Sequence, residues 1–228
     1  IKHAVASEST ELVLQDEFEW LRNNVENVLN RCVNESEPCS TAPRAYLDVF
    51  VSDNEKMFLS SPENFISALK HRTNRYSKIG TALRRIAVRF GWDAVAMAEI
   101  RDLNRHRTGE KICLLIPLGF YAALDQIPLD VDNTKMIALA EWGLSQLINA
   151  RQSLLDGQHY YMYETLLGTQ FPFEHLTTAN HFIYEAELRT GLGAHYRYAK
   201  HLRDVLQLWY EKFPETKLYI MEGGAEPE

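Results

Sequence analysis

Apolar residues follow two different periods along this chain, and that mixture most constrains the fold. Intervals of three and four residues are typical of one helix face, and they predict helices over residues 9–34, 133–155 and 194–213. Short runs of β-branched and aromatic residues predict strands over residues 45–51, 86–92 and 171–177. Long helices combined with few strands predict an α+β fold.

A polar segment with two prolines, residues 34–44, separates the first predicted helix from the rest of the chain. We therefore expect an N-terminal helix and linker over residues 1–44 and a main domain over residues 45–222. The last residues, 223–228, are polar and glycine-rich and are expected to be a disordered tail. At 228 residues, the chain is long enough to bury one substantial core.

The charge balance excludes some classes of partner. A formal net charge of −7 argues against a nucleic-acid backbone as the main partner. No apolar run is long enough to span a membrane, so we predict no membrane partner. The three cysteines match no metal spacing and no histidine pair shares a helix face, so we predict no metal site. Free thiols indicate a reducing, cytoplasmic compartment.

The most distinctive group of charges is Arg101 followed by Arg105-His106-Arg107, at the end of an apolar stretch that begins at Ala94. If that stretch is a helix, Arg101 and Arg105 share one face because they are four residues apart. Guanidinium groups bind phosphates through paired hydrogen bonds, so the cluster predicts a pocket for a phosphorylated or dinucleotide ligand. The alternative is that these cations only complement the dipole at the helix end.

A second segment strengthens the interpretation of this arginine run. Residues 176–199 read LTTANHFIYEAELRTGLGAHYRYA, an apolar helix that ends in Leu188-Arg189, then a polar turn and an amphipathic helix. Arg189 follows Arg107 by 82 residues. The pattern R-x-x-x-R-H-R, followed at this distance by Leu-Arg, resembles the flavin-dependent thymidylate synthases, and the resemblance extends over roughly residues 62–214.

The resemblance implies a reductive methylation of dUMP to dTMP that uses FAD, NADPH and methylenetetrahydrofolate. It implies that FAD is held by the residues of the arginine run, Arg101, Arg105, His106 and Arg107. Arg189 matches the family's arginine that lies against the pyrimidine ring and favours its ionised form, so it is expected to be both catalytic and substrate-binding. Arg197 is a candidate for contacts with the substrate phosphate. The family also implies a small mixed sheet flanked by long helices. It further implies a homo-oligomer, a tetramer with flavin at the subunit interfaces.

The chain departs from the family after Arg107, where the family has serines and an arginine that hold the nucleotide and this chain reads TGEKICLLIPLGFY. One hypothesis is a divergent enzyme whose phosphate contacts come from other cations, namely Lys78, Arg84, Arg85, Lys111 and Arg197. A second is a degenerate module without chemistry of its own that scaffolds or completes an active partner module, as in tandem members. A third is a non-catalytic interaction module that assembles through a helical surface.

Overall fold

The computed structural model describes residues 43–53, 56, 60–191 and 194–223. The predicted helix over residues 9–34 and the tail after residue 223 lie outside these ranges. The predicted boundary between linker and domain near residue 44 stays a prediction. Within the described ranges the chain forms five α-helices, five strands and four short 3-10 helices.

The strands form one sheet, and the pairings between them are antiparallel. The strands are β1 (Ala45–Phe50), β2 (Ala87–Ala96), β3 (Glu110–Cys113), β4 (Gly119–Phe120) and β5 (Thr169–Thr178). Their order is β1-β2-β5-β3, and β4 also pairs with β5. The α+β fold is therefore confirmed, but the sheet is antiparallel where a mixed one was expected. The connections explain this difference, because each one brings the chain back into the sheet at the end where it left. Phe50 at the end of β1 pairs with Ala87 at the start of β2, and Ala96 at the end of β2 pairs with Gln170 near the start of β5.

The helices follow the predicted periodicity in most places. They are α1 (Pro62–Leu69), α2 (Met97–Leu103), α3 (Thr134–Leu155), α4 (Ala179–Arg189) and α5 (Tyr196–Lys212). Helix α1 begins with Pro62, whose fixed φ suits the first helical position. The predicted helices over residues 133–155 and 194–213 correspond to α3 and α5. None of the helices in the described part of the chain is long and apolar enough to cross a bilayer.

The apolar stretch from Ala94 is where the prediction of a helix is wrong. Residues 94–96 belong to β2, which continues past a bulge between Trp92 and Val95. The strand lies in the middle of the sheet and is buried on both faces from Phe90 onward, apart from Asp93. A strand buried on both faces is a continuous apolar run, which periodicity cannot distinguish from a buried helix. Helix α2 is consequently only seven residues long and ends at Leu103.

The core lies between the sheet and helices α1, α4 and α5, and aromatic rings fill much of it. Phe90 of β2 contacts Phe182 of α4, with ring centroids 5.1 Å apart. Phe182 in turn lies 5.4 Å from Trp209 of α5, and all three side chains are fully buried. Such aromatic contacts fix α4 and α5 side by side on the sheet. This places the C-terminal end of α4 beside the first turn of α5.

A buried ion pair ties the chain's C-terminal segment to this core. Arg72, just after α1, donates two hydrogen bonds to the carboxylate of Glu187 in α4, at 2.8 and 2.6 Å. Both side chains are fully buried. Arg72 also donates to the Tyr219 carbonyl, and Glu187 accepts the backbone N–H of Met221. The pair therefore joins α1, α4 and the segment after α5.

Candidate functional site

Two residues that are 83 positions apart in sequence meet where the loop after α2 approaches the end of α4. The Nε of Arg189 donates a hydrogen bond to the Nε2 of His106, at 2.7 Å. Arg189 is the last residue of α4, and His106 lies three residues beyond the end of α2. The structure thus brings together one member of the predicted flavin-binding run and the predicted pyrimidine-side arginine.

The hydrogen bond from Arg189 shows which ring nitrogen of His106 carries the proton. A guanidinium can only donate, so the Nε2 of His106 must accept with a lone pair, and the ring proton lies on Nδ1. Burial is the main reason that the pKa of His106 lies below its usual value of 6.5. The nearby Arg189, His175 and Lys111 lower this pKa further, and only Glu185 raises it. The ring is therefore a neutral acceptor at physiological pH.

This lowered pKa predicts how stability changes with pH. Between the folded-state pKa of His106 and the usual value of 6.5, the unfolded chain binds more protons than the folded chain. The free energy of unfolding should therefore rise with pH across that window and fall as the solution is acidified. Urea unfolding at pH values from about 5 to 7.5 measures it. We expect a shallower pH slope for His106→Gln than for wild type. Parallel pH curves for wild type and His106→Gln would contradict the assignment.

A buried carboxylate lies behind His106. Glu185, one turn before Arg189 in α4, is 1% exposed. Its Oε1 accepts a hydrogen bond from the Tyr198 hydroxyl at 3.1 Å. Its Oε2 lies 3.2 Å from the Nδ1 of His175 and 4.0 Å from the Nδ1 of His106. Burial, reinforced by Glu185, raises the pKa of Tyr198, which therefore stays a hydroxyl donor.

The buried His175 ring connects this carboxylate to the loop that carries His106. Its Nε2 lies 2.6 Å from the Thr108 carbonyl, and because a carbonyl only accepts, Nε2 carries the donated proton. The ammonium of Lys111 on β3 also donates to the Thr108 carbonyl, at 3.2 Å, and to the carbonyl of His106. The loop is thus held from β5 and β3, which fixes where the His106 ring points.

Arg189 keeps most of its binding capacity. Its guanidinium carbon lies 5.8 Å from the centre of the Tyr198 ring, and its Nε is used by His106. Its two terminal NH₂ groups have no hydrogen-bond partner among the residues that the structure describes. The side chain is partly exposed. A fixed, cationic fork at the surface is suited to a planar anionic or carbonyl-bearing ligand.

The other arginines of the predicted flavin site do not converge on Arg189. Arg105 lies beyond the end of α2, so it does not share a helical face with Arg101. It pairs with Asp102 at 3.2 Å and stays 67% exposed. Arg101 and Arg107 are also exposed, and neither forms an ion pair or hydrogen bond within the described ranges. Helix α2 is too short to carry the whole run, because β2 takes up the residues expected to begin it.

Arg197, the predicted phosphate contact, is engaged by protein groups. Its Nε donates to Glu99 at 2.5 Å, and its guanidinium lies 3.3 Å from the centre of the Tyr121 ring. The other oxygen of Glu99 lies 2.6 Å from the Nδ1 of His201. Arg197 and Glu99 are both buried. The role of Arg197 toward a substrate remains a prediction.

A cleft of about 370 Å³ opens beside the loop of His106. It is lined by Arg84, Gly109, Thr177, Thr178 and His181. Helix α4 begins here, directly after Thr178. The Oγ1 of Thr177 is buried and has no hydrogen-bond partner in the described chain. A helix N-terminus, a guanidinium and an unsatisfied hydroxyl make this cleft suitable for an anionic ligand.

Sequence reasoning missed three side chains of the site: Glu185, His175 and Tyr198. The sequence did contain a signal for Glu185, because Glu185 and Arg189 are four residues apart on a predicted helix and so share a face. Tyr198 lies on the buried face of α5, as the helical interval of its apolar residues predicts, but its hydroxyl donates to Glu185. Nothing in the sequence placed His175 near the arginine run, because the two segments are brought together by the pairing of β3 with β5. Among the described residues, no group of three His, Cys, Asp or Glu side chains is arranged to hold a metal ion.

No protein-family model matches this sequence, and neither does any curated protein sequence. The fold is similar to that of a UMP/dUMP methylase, PolB from Streptomyces cacaoi, whose structure contains bound 5-Br UMP. The TM-score is 0.57 at 12% sequence identity, and the match covers 81% of this chain and 97% of the other. At this identity the likeness concerns the fold, and it agrees with the thymidylate-synthase-like architecture expected from the two sequence landmarks.

Proposed function

We propose that this chain is a pyrimidine-nucleotide methylase of the flavin-dependent thymidylate synthase type. In the proposed reaction, dUMP, methylenetetrahydrofolate, NADPH and a proton give dTMP, tetrahydrofolate and NADP⁺. The observation that carries the proposal is the position of Arg189, which His106 holds through Nε, while its terminal NH₂ groups have no partner in the described part of the chain. The similarity in fold to a UMP/dUMP methylase supports the same class of substrate.

Arg189 would act on the pyrimidine of dUMP. A cation beside the ring lowers the pKa of a ring N–H because it stabilises the negative charge left after deprotonation. A neutral His106 serves this role better than a carboxylate partner, because it orients Arg189 without cancelling its charge. Tyr198 and the buried side of α4 exclude water from one side of the guanidinium, which strengthens its interaction with a ligand.

The described residues fit an FAD phosphate in the cleft beside the His106 loop. The partnerless Thr177 hydroxyl and the exposed Arg84 supply a hydrogen bond and a positive charge. Gly109 has a φ of +70°, and a Cβ there would meet the Leu176 carbonyl at 2.1 Å, so this wall of the cleft requires glycine. When bound, FAD would carry the hydride that NADPH supplies. Arg101, Arg105 and Arg107 are proposed to contact FAD from the exposed edge of this loop.

The visible absorption spectrum of the purified full chain, recorded before and after addition of FAD and desalting, tests the proposal. We expect a retained flavin band whose reduced form is reoxidised in a dUMP-dependent manner. In Arg105→Ala the retained flavin should fall by about tenfold, because a charge-assisted hydrogen bond to phosphate is lost. Lys212→Ala, at an exposed lysine of α5, is the matched control. Equal flavin retention in Arg105→Ala and wild type would remove Arg105 from the flavin site.

A second candidate function is the degenerate module that completes an active partner. The observation that favours it is the use of two predicted ligand-binding arginines within the protein, since Arg105 pairs with Asp102 and Arg197 with Glu99. If the chain retains no flavin after reconstitution but still self-associates or binds a partner module, this second function replaces the first.

We also propose that the chain assembles as a homo-oligomer, for which α3 offers a surface. Ile137, Ile148 and Leu155 are exposed and separated by 11 and 7 residues, so they form one apolar stripe along α3. An exposed apolar stripe of this length is typical of an interface. Ile148→Lys should reduce the mass measured by light scattering to that of a smaller assembly, whereas Asn149→Lys, which adds the same charge at the next exposed position, should not. A monomeric wild type would contradict the proposal.

A further inference from the structure

Glu185 is surrounded by polar side chains from three separate parts of the fold. His106 comes from the loop after α2, His175 from β5 and Tyr198 from α5. Burying a carboxylate among apolar side chains is costly unless partners compensate for it. Glu185 Oε2 and His175 Nδ1 are 3.2 Å apart, yet neither atom makes a well-directed hydrogen bond within the described ranges. Such a costly arrangement calls for a role beyond packing.

The carboxylate lies on the Nδ1 side of His106, and Arg189 lies on its Nε2 side. The Nδ1–Oε2 distance of 4.0 Å is an electrostatic contact, whereas the Nε2–Nε distance of 2.7 Å is a direct hydrogen bond. A negative charge on the Nδ1 side favours the tautomer with its proton there. That tautomer leaves Nε2 as an acceptor for Arg189. Without the carboxylate this preference is lost, and in the other tautomer an Nε2–H would face the Arg189 Nε–H.

We propose that Glu185 is a positioning residue for Arg189, which it orients by holding His106 in the tautomer that accepts the Arg189 Nε–H. Tyr198 keeps the carboxylate in place through Oε1, and His175 lies beside Oε2. The neutral imidazole between Glu185 and Arg189 separates the anion from the cation, so the full charge of Arg189 stays directed toward a ligand. That this ligand is a pyrimidine nucleotide rests on the proposed function, whereas the positioning role does not.

The variant Glu185→Gln tests the role with little change in shape. The Tyr198 hydroxyl needs the amide oxygen, so the amide NH₂ takes the place of Oε2 and faces the Nδ1 of His106. Two donors then oppose each other, and the His106 proton should move to Nε2. Glu211→Gln, the same chemical change at an exposed position of α5, is the control.

Nuclear magnetic resonance on the full chain without ligand measures both the tautomer of His106 and the hydrogen bond from Arg189. Long-range ¹H–¹⁵N spectra at about pH 7.5, where an imidazole of ordinary pKa is neutral, report the His106 tautomer, with His106→Gln used for assignment. The exchange of the Arg189 Nε–H with water reports its hydrogen bond. We expect an Nδ1–H tautomer and slow exchange in wild type and Glu211→Gln, and about tenfold faster exchange in Glu185→Gln, where the bond is lost.

A role limited to packing would lower thermal stability without changing the His106 tautomer, and that result would overturn the proposal. If Glu185→Gln does not fold, wild type alone still decides, because a predominant Nε2–H tautomer of His106 contradicts the positioning role. A dUMP titration separates this proposal from the proposed function. If wild type binds dUMP, Glu185→Gln should bind it at least about tenfold more weakly, as expected when a charge-assisted contact is misplaced. If wild type does not bind dUMP, the proposed function fails while the tautomer result stands.

Discussion

Replacement of Arg189 by alanine is expected to weaken dUMP binding by roughly 100-fold, because hydrogen bonds to a charged group contribute about 1.5–3 kcal/mol each. The guanidinium is held at one nitrogen by His106, and its terminal NH₂ groups are free within the described chain. The entropic cost of ordering the side chain is therefore largely met before the ligand arrives. Isothermal titration of the full chain with dUMP measures the effect.

Two comparisons make the Arg189 result specific. Lys200→Ala removes one positive charge from an exposed position of α5 and should leave the affinity for dUMP unchanged. Flavin retention should also be the same in Arg189→Ala and wild type, since Arg189 is assigned to the pyrimidine. Equal dUMP affinity in wild type and Arg189→Ala would show that the nucleotide does not bind at the fork.

The largest effect on stability is expected for Glu187→Ala, at about 3–5 kcal/mol of unfolding free energy, because the substitution leaves a buried cation without its anion. Arg72 has no exposed side-chain surface, so its charge cannot be solvated in place. The substitution also removes the acceptor of the Met221 N–H, which loosens the segment after α5. Denaturant unfolding measures the loss. Glu141→Ala, at an exposed position of α3, should change the stability by less than about 0.5 kcal/mol.

A double replacement distinguishes the effect of an unpaired buried charge from the effect of lost packing contacts. Arg72→Met combined with Glu187→Leu removes both ions and keeps apolar volume, so it should be less destabilising than Glu187→Ala alone. If Glu187→Ala unfolds at the same denaturant concentration as wild type, the buried pair contributes nothing and the account of the C-terminal segment is wrong.

The helices that flank the sheet could be predicted from the sequence because their apolar residues recur at helical intervals. Helix α5 is the clearest case, since Tyr198, Leu202 and Val205 recur at intervals of three and four residues and are buried. Strand β2 could not be delimited in the same way. Its final residues are buried on both faces, so apolar and polar residues do not alternate there. The bulge after Trp92 also interrupts the two-residue period of the strand.

The candidate site was only partly accessible from sequence. The order and spacing of two family landmarks singled out both His106 and Arg189, but the hydrogen bond between these side chains is seen only in the structure. Glu185 and His175 were missed because a buried carboxylate and a buried histidine look like any other polar residues until the sheet pairing is known. Charge runs are equally ambiguous in sequence, since Arg105 and Arg197 look alike there but differ in burial and partners.

Among the described residues, Arg189 differs from the buried arginines in having no carboxylate partner. Arg72 and Arg197 are buried against carboxylates, while Arg189 is separated from Glu185 by the His106 ring. This difference explains why Arg189, rather than the more numerous exposed arginines, is the centre of the proposed nucleotide site. An ordered cation with an uncompensated charge is what stabilises negative charge on a bound ring.

The most direct test of the proposed methylase is a product analysis. The full chain would be incubated with dUMP, FAD, NADPH and methylenetetrahydrofolate labelled with ¹³C at the methylene carbon, and the nucleotides analysed by mass spectrometry. The account predicts dTMP that carries the labelled methyl group, formed by wild type and lost in Arg189→Ala. Unchanged dUMP, in a sample that demonstrably binds both FAD and dUMP, would contradict it.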